Sequence, residues 1–464
     1  MTLIIVLLLL LSYLLIATGH LTNVNKAAIA MFIAAAGWVV YICYGTDYVM
    51  ARHATDYQEF LGSTQPSSEQ VKLYIYNNVF LNYVGKAAAI VLFLLATMSI
   101  VELLNNNGCF DFIQDWIRTR NSKRVLWTLS LATFLISANL DNLTTTTMML
   151  VIMHKIVQNS RQRMVVGASI VLAANCGGCM TVIGDPAGVA LWGNGAVTAS
   201  NFSAYLALPA ILAWVIPTWW MSRELPERLD VAWPAAPYRG DDTNLNRWQR
   251  VLMLVVGIGG LWFIPTFHNI TKLSPFLGAL CVLSVLWVVN ELVNRKLNDS
   301  GQMARRLIPV ALQYDTIQQI LFVMGIMLGL GVVTETGVFQ SVAEWIDVNV
   351  QNIWLVGLFS GLLSAMVDTF TIAMSNFSLY DVLPTATDSY AMNFVQNGAF
   401  WKVIAFSTAV GGCLLCVGNV SGLALMKMEH VRLGWYLKHC TLKVAVGWIA
   451  GMLALATEIY FFSF

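Results

Sequence analysis

Two short polar runs stand out in a chain of 464 residues that is 58% hydrophobic and only 11% charged. The run "SANLDNLTTTT" begins at Ser137, and the run "SAMVDTFTIAM" begins at Ser364. The carboxylates of the two runs, Asp141 and Asp368, follow their serines at the same spacing. Ionisable side chains inside apolar segments are costly and are usually kept for function. The repeated pattern therefore predicts two related ion-binding motifs.

Carboxylate, amide and hydroxyl oxygens are hard ligands, and they suit small hard cations. We expect Asp141 and Asp368 to bind Na⁺ or Li⁺, and Asn142, Thr144 and Thr145 to add further oxygens. A buried carboxylate can bind a proton instead, because burial favours its uncharged form. A group that holds either a cation or a proton couples the two fluxes, as an antiporter requires. The alternative is structural, since these side chains also hydrogen-bond freed backbone groups at turns.

A glycine-rich break follows each polar run: "GGCMTVIGD" ends at Asp185, and "GGCLLCVGN" ends at Asn419. Gly178 and Gly412 interrupt an apolar helix and free its backbone carbonyls and amides. These groups become candidate ligands if the two halves of the chain pack face to face. Pro186 follows the aspartate, so helix N-capping is the alternative role of Asp185. Three hydroxyl groups complete the candidate ion site: Ser137, Ser364 and Thr369.

Each break also carries two cysteines at CxxC spacing, Cys176 with Cys179 and Cys413 with Cys416. Such pairs can hold zinc or form redox disulfides. Here they lie in glycine-rich apolar segments, where cysteine serves as a small packing residue. We therefore expect no cofactor. An enzyme or a metal-redox protein is the least favoured class, since the sequence has neither an HExxH nor a GxSxG motif.

The elements that must position these groups are membrane spans. A soluble domain carries roughly 25% charged residues, whereas this chain has a mean hydropathy of +0.67 and a net charge of only +1. Membrane lipid is therefore the expected partner, and nothing in the charge indicates nucleic-acid binding. Runs of about 20 apolar residues can cross a bilayer. The pattern predicts about ten spans: 1–18, 26–44, 79–101, 165–192, 203–221, 250–266, 275–293, 317–333, 401–426 and 443–463.

Two further apolar segments, 125–153 and 352–379, contain the polar runs. Basic residues flank the first on both sides, whereas only acidic residues flank the second. Because positive charge collects in cytoplasmic loops, both ends of the first segment are expected inside the cell and both ends of the second outside. Each segment is therefore predicted to be a re-entrant hairpin with its polar tip within the membrane. The basic loops 294–308 and 427–443 are also assigned to the cytoplasm, and both termini to the outside.

The landmarks recur in the same order with opposite predicted topology, which is typical of the inverted repeats of secondary transporters. The amphipathic segment "GCFDFIQDWIRT" precedes the first hairpin, and "GVFQSVAEWIDV" precedes the second. The broken helices 165–192 and 401–426 follow the hairpins. The chain is thus divided into a first helix, a first repeat, a cytoplasmic linker with a connecting helix, and a second repeat: 1–25, 26–221, 222–274 and 275–464.

Other ionisable residues favour ordinary roles. Lys86 is expected to reach the membrane interface rather than pair with Asp315. Glu102 and Glu335 are expected to be solvated at the ends of spans, with cation binding during entry as the alternative. Three histidines lie in the basic regions, and they are expected to be surface groups with pH sensing as the alternative: His154, His430 and His439.

The two polar runs, with "AANCGGCMTVIGDPAG" and "GGCLLCVGNVSGLALMKME", resemble the signatures of the NhaD-type sodium/proton antiporters. That family belongs to an ion-transporter superfamily that includes dicarboxylate, citrate and arsenite carriers. The resemblance spans about residues 79–463. It implies two inverted repeats, each with a re-entrant hairpin and a broken helix, in a homodimer. It also implies Na⁺(Li⁺)/H⁺ antiport in a bacterial inner membrane, with Na⁺ at Asp141, Asn142 and Asp368.

The second half departs from the family pattern. Thr369 stands where an asparagine is common, Asn419 stands where a serine is usual, and no proline follows the second Asp soon after. These changes leave the identity of the ion open. Carboxylate carriers of the superfamily tend to have Ser-Asn-Thr at both tips, and the two aspartates here would repel a di- or tricarboxylate. Cation/proton exchange is therefore favoured, and a Na⁺- or H⁺-coupled carrier of carboxylates or oxyanions is the alternative.

Overall fold

The structure, a computed structural model, describes residues 2–22, 24–62, 64–113, 117, 119–232, 245–294 and 314–462. These ranges are almost entirely helical, and their only β pairing is in isolated bridges. The predicted all-helical membrane class is therefore confirmed. Eight helices in the described ranges are long and apolar enough to cross a membrane, by length and composition. The count of ten spans stays a prediction.

Parts of four predictions lie outside the described residues. They are the charges of the loop after residue 294, Trp116 and Arg118 of the first amphipathic segment, residues 233–244 of the linker, and the side chain of Asp315.

Several helices of the N-terminal half start at polar caps or at proline. Asn25, Asn121 and Asn159 accept hydrogen bonds from the first turns of three of them, and Pro186 opens a fourth. An asparagine cap accepts hydrogen bonds from amides of the first turn that have no partner inside the helix. Proline has no amide hydrogen, so it leaves no donor without a partner at the first position. In chain order these helices are α1 (Thr2–Ala17), α2 (Lys26–Cys43), α3 (Ser68–Asn106), α4 (Ser122–Ser137), α5 (Asn142–Ile156), α6 (Ser160–Met180), α7 (Pro186–Gly193) and α8 (Ala199–Ser222).

The C-terminal half repeats this order after a connecting helix, α9 (Arg247–Thr271). Its helices are α10 (Pro275–Val293), α11 (Tyr314–Glu335), α12 (Val338–Asn349), α13 (Ile353–Met366), α14 (Thr369–Phe377), α15 (Ala399–Gly411), α16 (Val420–Glu429) and α17 (Leu433–Phe461). The first helix of each half packs against the other half: α2 contacts α11, and α10 contacts α3. Helix α2 therefore begins beside elements of the other half.

Helices α4 and α5 form a hairpin that does not cross the bundle. They have 16 and 15 residues, or about 24 Å, which is shorter than the ~30 Å hydrocarbon core of a bilayer. One short segment holds both of its ends: the Leu229 amide donates to the Arg120 carbonyl (2.9 Å), and the Ala232 amide donates to the Ile156 carbonyl (3.0 Å). Both ends of the hairpin therefore lie on the same side.

Helices α13 and α14 form the second hairpin, with 14 and nine residues. The Tyr380 hydroxyl donates to Asp347 Oδ1 (2.7 Å), which joins the chain at the two ends of this hairpin. Tyr380 also packs edge-on against Phe400, at the start of α15. The broken helix α15–α16 runs from there to Glu429, which contacts His154 at the base of the first hairpin (2.7 Å). The two hairpins thus enter from opposite sides.

The broken helices occupy the centre of the bundle. Every residue of α6 from Val165 to Cys179 is buried, and so is every residue of α15 from Phe400 to Gly411. A helix that is buried on all sides has no polar face, so its ligands must come from its ends and breaks. Those breaks are the positions that the sequence marks with glycine and with Asp185 or Asn419.

The prediction of solvated span-end carboxylates is wrong. Glu335 is only 6% exposed; it accepts a hydrogen bond from the Tyr83 hydroxyl (2.8 Å) and contacts His53 Nε2 (2.7 Å). Glu102 is 4% exposed. Neighbouring helices cover these span ends, so the carboxylates bond to protein instead of water. Lys86 is exposed, in keeping with the predicted position at the interface.

Candidate functional site

Four helix starts meet at the centre of the molecule, and each has a polar N-cap. Asp141 caps α5 by accepting from the Thr144 amide (2.9 Å), and Asp185 caps α7 by accepting from the Ala187 amide (2.9 Å). Asp368 does the same for α14, accepting from Thr371 (3.1 Å), and Asn419 for α16, accepting from Gly422 (2.6 Å). Each cap satisfies amides that a helix start leaves without partners. Helix capping, the structural alternative to ion binding, is thus a real role of these residues. It uses only one carboxylate oxygen of each aspartate.

The second oxygen of each aspartate is directed elsewhere. Asp141 Oδ1 accepts from the Gln319 amide (3.2 Å), and Asp185 Oδ2 accepts from the Asn142 amide (3.2 Å). Asp368 Oδ1 faces Lys26 Nζ at 3.9 Å. The three carboxyl groups are buried and close enough to interact electrostatically. Capping and ion binding are therefore compatible in one side chain.

These oxygens surround a small cavity of about 40 Å³. A cavity of this size holds a few water molecules or a small cation, whereas sites for organic ligands usually enclose about 300–1,000 Å³. Its polar lining comes from both halves: Asp141, Asn142, Asn175, Asp185, Gln319, Asp368, Thr369, Asn419 and Ser421. The structure therefore brings together six of the predicted site residues, from both hairpin tips and both helix breaks.

Gly178 and Gly412 let the hairpin tips approach the breaks. A methyl group on Gly178 would overlap the amide of Asn142, and one on Gly412 would overlap the methyl group of Thr369. The predicted glycines thus act by leaving space, and we assign them no ligand role.

The two predicted serines tie each hairpin to its broken helix behind the cavity. Ser137 Oγ lies 2.7 Å from the Ala174 carbonyl, and Ser364 Oγ lies 2.7 Å from the Thr408 carbonyl. The same contact occurs once in each half. Because neither serine lines the cavity, the geometry favours a positioning role for both.

Two predicted threonines and Asn419 contribute less than the sequence suggested. Thr144 Oγ1 bonds to Asp141 Oδ2 (3.1 Å), and the buried Thr145 hydroxyl has no hydrogen-bond partner in the described ranges. Neither lines the cavity. The Asn419 amide is used by the fold, since its Nδ2 donates to the Gly412 carbonyl (2.9 Å). The second break therefore offers no free charge to match Asp185.

The sequence interpretation missed four residues around the cavity: Lys26, Gln319, Asn175 and Ser421. Gln319 belongs to a polar pair in a predicted span, and Asn175 precedes the CxxC motif, so both carried a local signal. Lys26 begins a span, a position that usually indicates the membrane interface. Only the packing of α2 against the other half reveals its place at the centre.

A larger cavity of about 420 Å³ adjoins the small one. The two linings share Leu143, Gln319, Phe322 and Val420. The larger cavity also contacts Lys26 and the exposed Lys427 near the end of α16. It is therefore a vestibule on the side where the base of the first hairpin lies.

The cysteines of the two CxxC pairs lie where the broken helices pack together. All four are buried and free of disulfides, and Cys179 Sγ lies 3.2 Å from the Cys176 carbonyl. In the part of the chain that the structure describes, no group of three or more His, Cys, Asp or Glu side chains is placed to hold a metal. Packing accounts for the positions of these thiols.

Comparison with known proteins places these features in a family. Residues 2–411 match the family described as citrate transporter, CitMHS. Sodium/proton antiporter 1 of Arabidopsis thaliana is 31% identical over 80% of this chain, and the match spans 62% of that protein. Sodium/proton antiporter 2 of the same plant is 28% identical, with 95% of this chain and 96% of that protein covered. The Na⁺/H⁺ antiporter NhaD of Vibrio parahaemolyticus is 23% identical over 73% of this chain and 82% of that protein.

A solved structure supports the fold. The YdaH transporter of Alcanivorax borkumensis aligns with a TM-score of 0.56 at 13% identity, over 84% of this chain and 89% of that one. The predicted resemblance to NhaD-type antiporters is confirmed by the sequence matches, and the transporter architecture by this structural one.

Proposed function

We propose that this chain, which belongs to the citrate transporter (CitMHS) family, is a secondary active transporter that exchanges Na⁺ or Li⁺ for H⁺. The observation that carries the proposal is the cavity of about 40 Å³ with three aspartate carboxylates at its walls. Hard oxygen ligands in a space of that size suit a monovalent cation. The names of the Arabidopsis and Vibrio relatives point to the same pair of ions.

In the proposed mechanism, Asp141, Asn142 and Asp185 hold the cation. Asp141 and Asp185 each keep one oxygen on a helix start and turn the other toward the cavity. Protonation of these carboxyl groups removes the charge that attracts the cation, so cation and proton bind alternately. Opening the cavity to one side and then to the other converts this competition into exchange.

The chain is a multi-pass membrane protein. We further propose that it lies in a bacterial inner membrane as a homodimer with both termini outside, and that it moves ions without catalysing a covalent reaction. The vestibule would then open to the cytoplasm, because it lies on the side of the basic loop 427–443.

Transport by Asp141→Asn in proteoliposomes tests the proposal. Asparagine is as good an N-cap as aspartate, so α5 keeps its start while the charge is lost. With an imposed pH gradient, addition of Na⁺ or Li⁺ should dissipate the gradient with the wild-type protein and at least about tenfold more slowly with the variant. Glu344→Gln, which removes an exposed charge on α12, is the matched control and should behave as wild type. Wild-type rate and pH profile in Asp141→Asn would contradict the proposal.

One observation favours the alternative carrier of carboxylates or oxyanions. The vestibule is large enough for a small organic ligand, and two lysines, Lys26 and Lys427, lie on it. The same proteoliposomes decide between the two functions. Uptake of citrate, a dicarboxylate or arsenite, with no response to Na⁺ or Li⁺ under a pH gradient, would replace the antiporter proposal.

A further inference from the structure

Lys26 and Asp368 face each other across the two halves of the molecule. Their Nζ and Oδ1 atoms are 3.9 Å apart, and the two side chains are 16% and 1% exposed. Among the residues that the structure describes, neither atom has a hydrogen-bond partner. A buried ammonium group is stable only when it is paired. Asp368 is therefore the group that explains a lysine at this depth.

The local structure of α2 does not account for Lys26. The helix already has a cap, since Asn25 Oδ1 accepts from the Ala27 amide (2.9 Å). A positive side chain in the first turn of a helix is unfavourable, because the helix dipole places positive charge there. Helix α10, which takes the corresponding place in the second half, begins with Pro275. The lysine thus breaks the symmetry of the repeats.

The two hairpin tips consequently differ in charge. In the described ranges, the second oxygen of Asp141 accepts from the neutral amide of Gln319 (3.2 Å), and that of Asp185 accepts from the neutral amide of Asn142 (3.2 Å). Among the described residues, no lysine, arginine or histidine lines the small cavity. A cation that approaches Asp368 has to displace an ammonium group that cannot diffuse away, whereas a cation that approaches the other two aspartates displaces only neutral donors.

We propose that Lys26 is a tethered counter-cation that occupies Asp368, so that one transported cation binds per chain, on the side of Asp141 and Asp185. This inference rests on the proposed function and specifies its site. In this proposal Asp368 pairs with Lys26, whereas the sequence predicted that it binds Na⁺. It also explains why the second motif tolerates Thr369 and Asn419, since no transported ion has to be coordinated there.

The test counts bound Na⁺ on the purified full-length protein in detergent at alkaline pH, with radioactive Na⁺ in equilibrium dialysis. The wild type should bind one Na⁺ per chain. Lys26→Gln keeps a side chain of similar length without the charge, frees Asp368, and should bind two. Lys26→Arg keeps the charge and should bind one. Lys427→Gln removes the same charge from the same vestibule without touching Asp368, and should also bind one.

A charge-conserving double variant, Lys26→Gln with Asp368→Asn, covers the case in which Lys26→Gln does not fold. It removes the pair without leaving a buried charge, so it should fold and bind one Na⁺ with an affinity within about threefold of the wild type.

Three results would overturn the inference. They are a single Na⁺ bound by folded Lys26→Gln, two Na⁺ bound by Lys427→Gln, or a double variant that binds none while the wild type binds one. A wild-type protein that binds no Na⁺ at all would refute the proposed function and, with it, the tethered counter-cation. Failure of the inference alone is recognised by Na⁺ binding that persists in the wild type and does not respond to Lys26.

Discussion

Replacing Gly178 with alanine tests how closely the first hairpin tip must approach the helix break. A methyl group at this position would come closer than 3 Å to the amide atoms of Asn142. That amide cannot move freely, because Oδ1 accepts from the Ser137 hydroxyl (2.8 Å) and Nδ2 donates to Asp185 (3.2 Å). The substitution therefore forces the loss or distortion of two partly buried hydrogen bonds.

The expected magnitude follows from those two bonds. Side-chain hydrogen bonds between transmembrane helices contribute about 0.6–1.7 kcal/mol each, so their loss costs about 1–3 kcal/mol of unfolding free energy. Alanine gains up to about 1 kcal/mol over glycine in a helix. Gly85→Ala isolates that gain, since a methyl group there meets nothing within 4 Å in the middle of α3. Gly178→Ala should thus be about 1–3 kcal/mol less stable than Gly85→Ala.

Two measurements check this expectation. Reversible unfolding in mixed detergent micelles gives the difference in stability between the two alanine variants. Equilibrium Na⁺ binding should weaken by about tenfold in Gly178→Ala, because about 1.4 kcal/mol corresponds to a factor of ten. It should not change in Gly85→Ala.

Removing the Asn142 side chain should relieve the overlap. In an Asn142→Ala background the crowded amide atoms are absent, so adding Gly178→Ala should cost no further stability. Such a double-mutant cycle measures the coupling of the pair directly. Equal effects of Gly178→Ala in both backgrounds, or equal stabilities of the two glycine variants, would refute the close approach as the reason for this glycine.

Two further predictions concern other parts of the molecule. Glu429→Gln should lower the unfolding free energy by about 1.5–3 kcal/mol, because hydrogen bonds to charged groups contribute that much and Glu429 contacts both Arg163 Nε (2.6 Å) and His154 Nδ1 (2.7 Å). The control Glu344→Gln, at an exposed position, should stay within about 0.5 kcal/mol of the wild type. An equal effect of both changes on unfolding in detergent would contradict the pairing of Glu429. Burial raises the pKa of the Cys109 thiol to about 12, so its thiolate should stay scarce at pH 9. A maleimide should therefore label the exposed Cys43 much faster than Cys109. Equal labelling rates, measured by mass spectrometry, would contradict the burial of Cys109.

The sequence predicted the helical class and the hairpins well because both leave local signals. Apolar runs marked the spans, and the signs of the flanking charges separated the re-entrant segments from the crossing helices. The structure adds an independent reason for the first hairpin, whose two ends pair with the chain at Leu229 and Ala232. No local pattern predicts those pairings, since they join segments that are distant in the chain.

The site was predictable where a residue's chemistry was unusual for its surroundings. Asp141, Asp185 and Asp368 stood out as carboxylates in apolar segments, and the structure brings all three to one cavity. Lys26 did not stand out, because a lysine at the start of a span is common at membrane interfaces. Its role depends on the exchange of first helices between the halves, which only the tertiary structure reveals.

The same geometry explains why capping and ion binding occur together. An aspartate at a helix start keeps an acceptor oxygen for the backbone amide even when its other oxygen is protonated, so the helix retains its cap in either charge state. The change of charge is thereby confined to the oxygen that faces the cavity. In the proposed cycle, one bound cation lowers the net negative charge of the Asp141 and Asp185 pair, and protonation of both carboxyl groups removes it, so either loaded state costs less to move past apolar surroundings than the empty one. An empty site keeps its full negative charge, so moving it past apolar surroundings carries the full cost of desolvating the carboxylates. In the proposed cycle, exchange then follows from burial, because the loaded states move at a lower cost than the empty one.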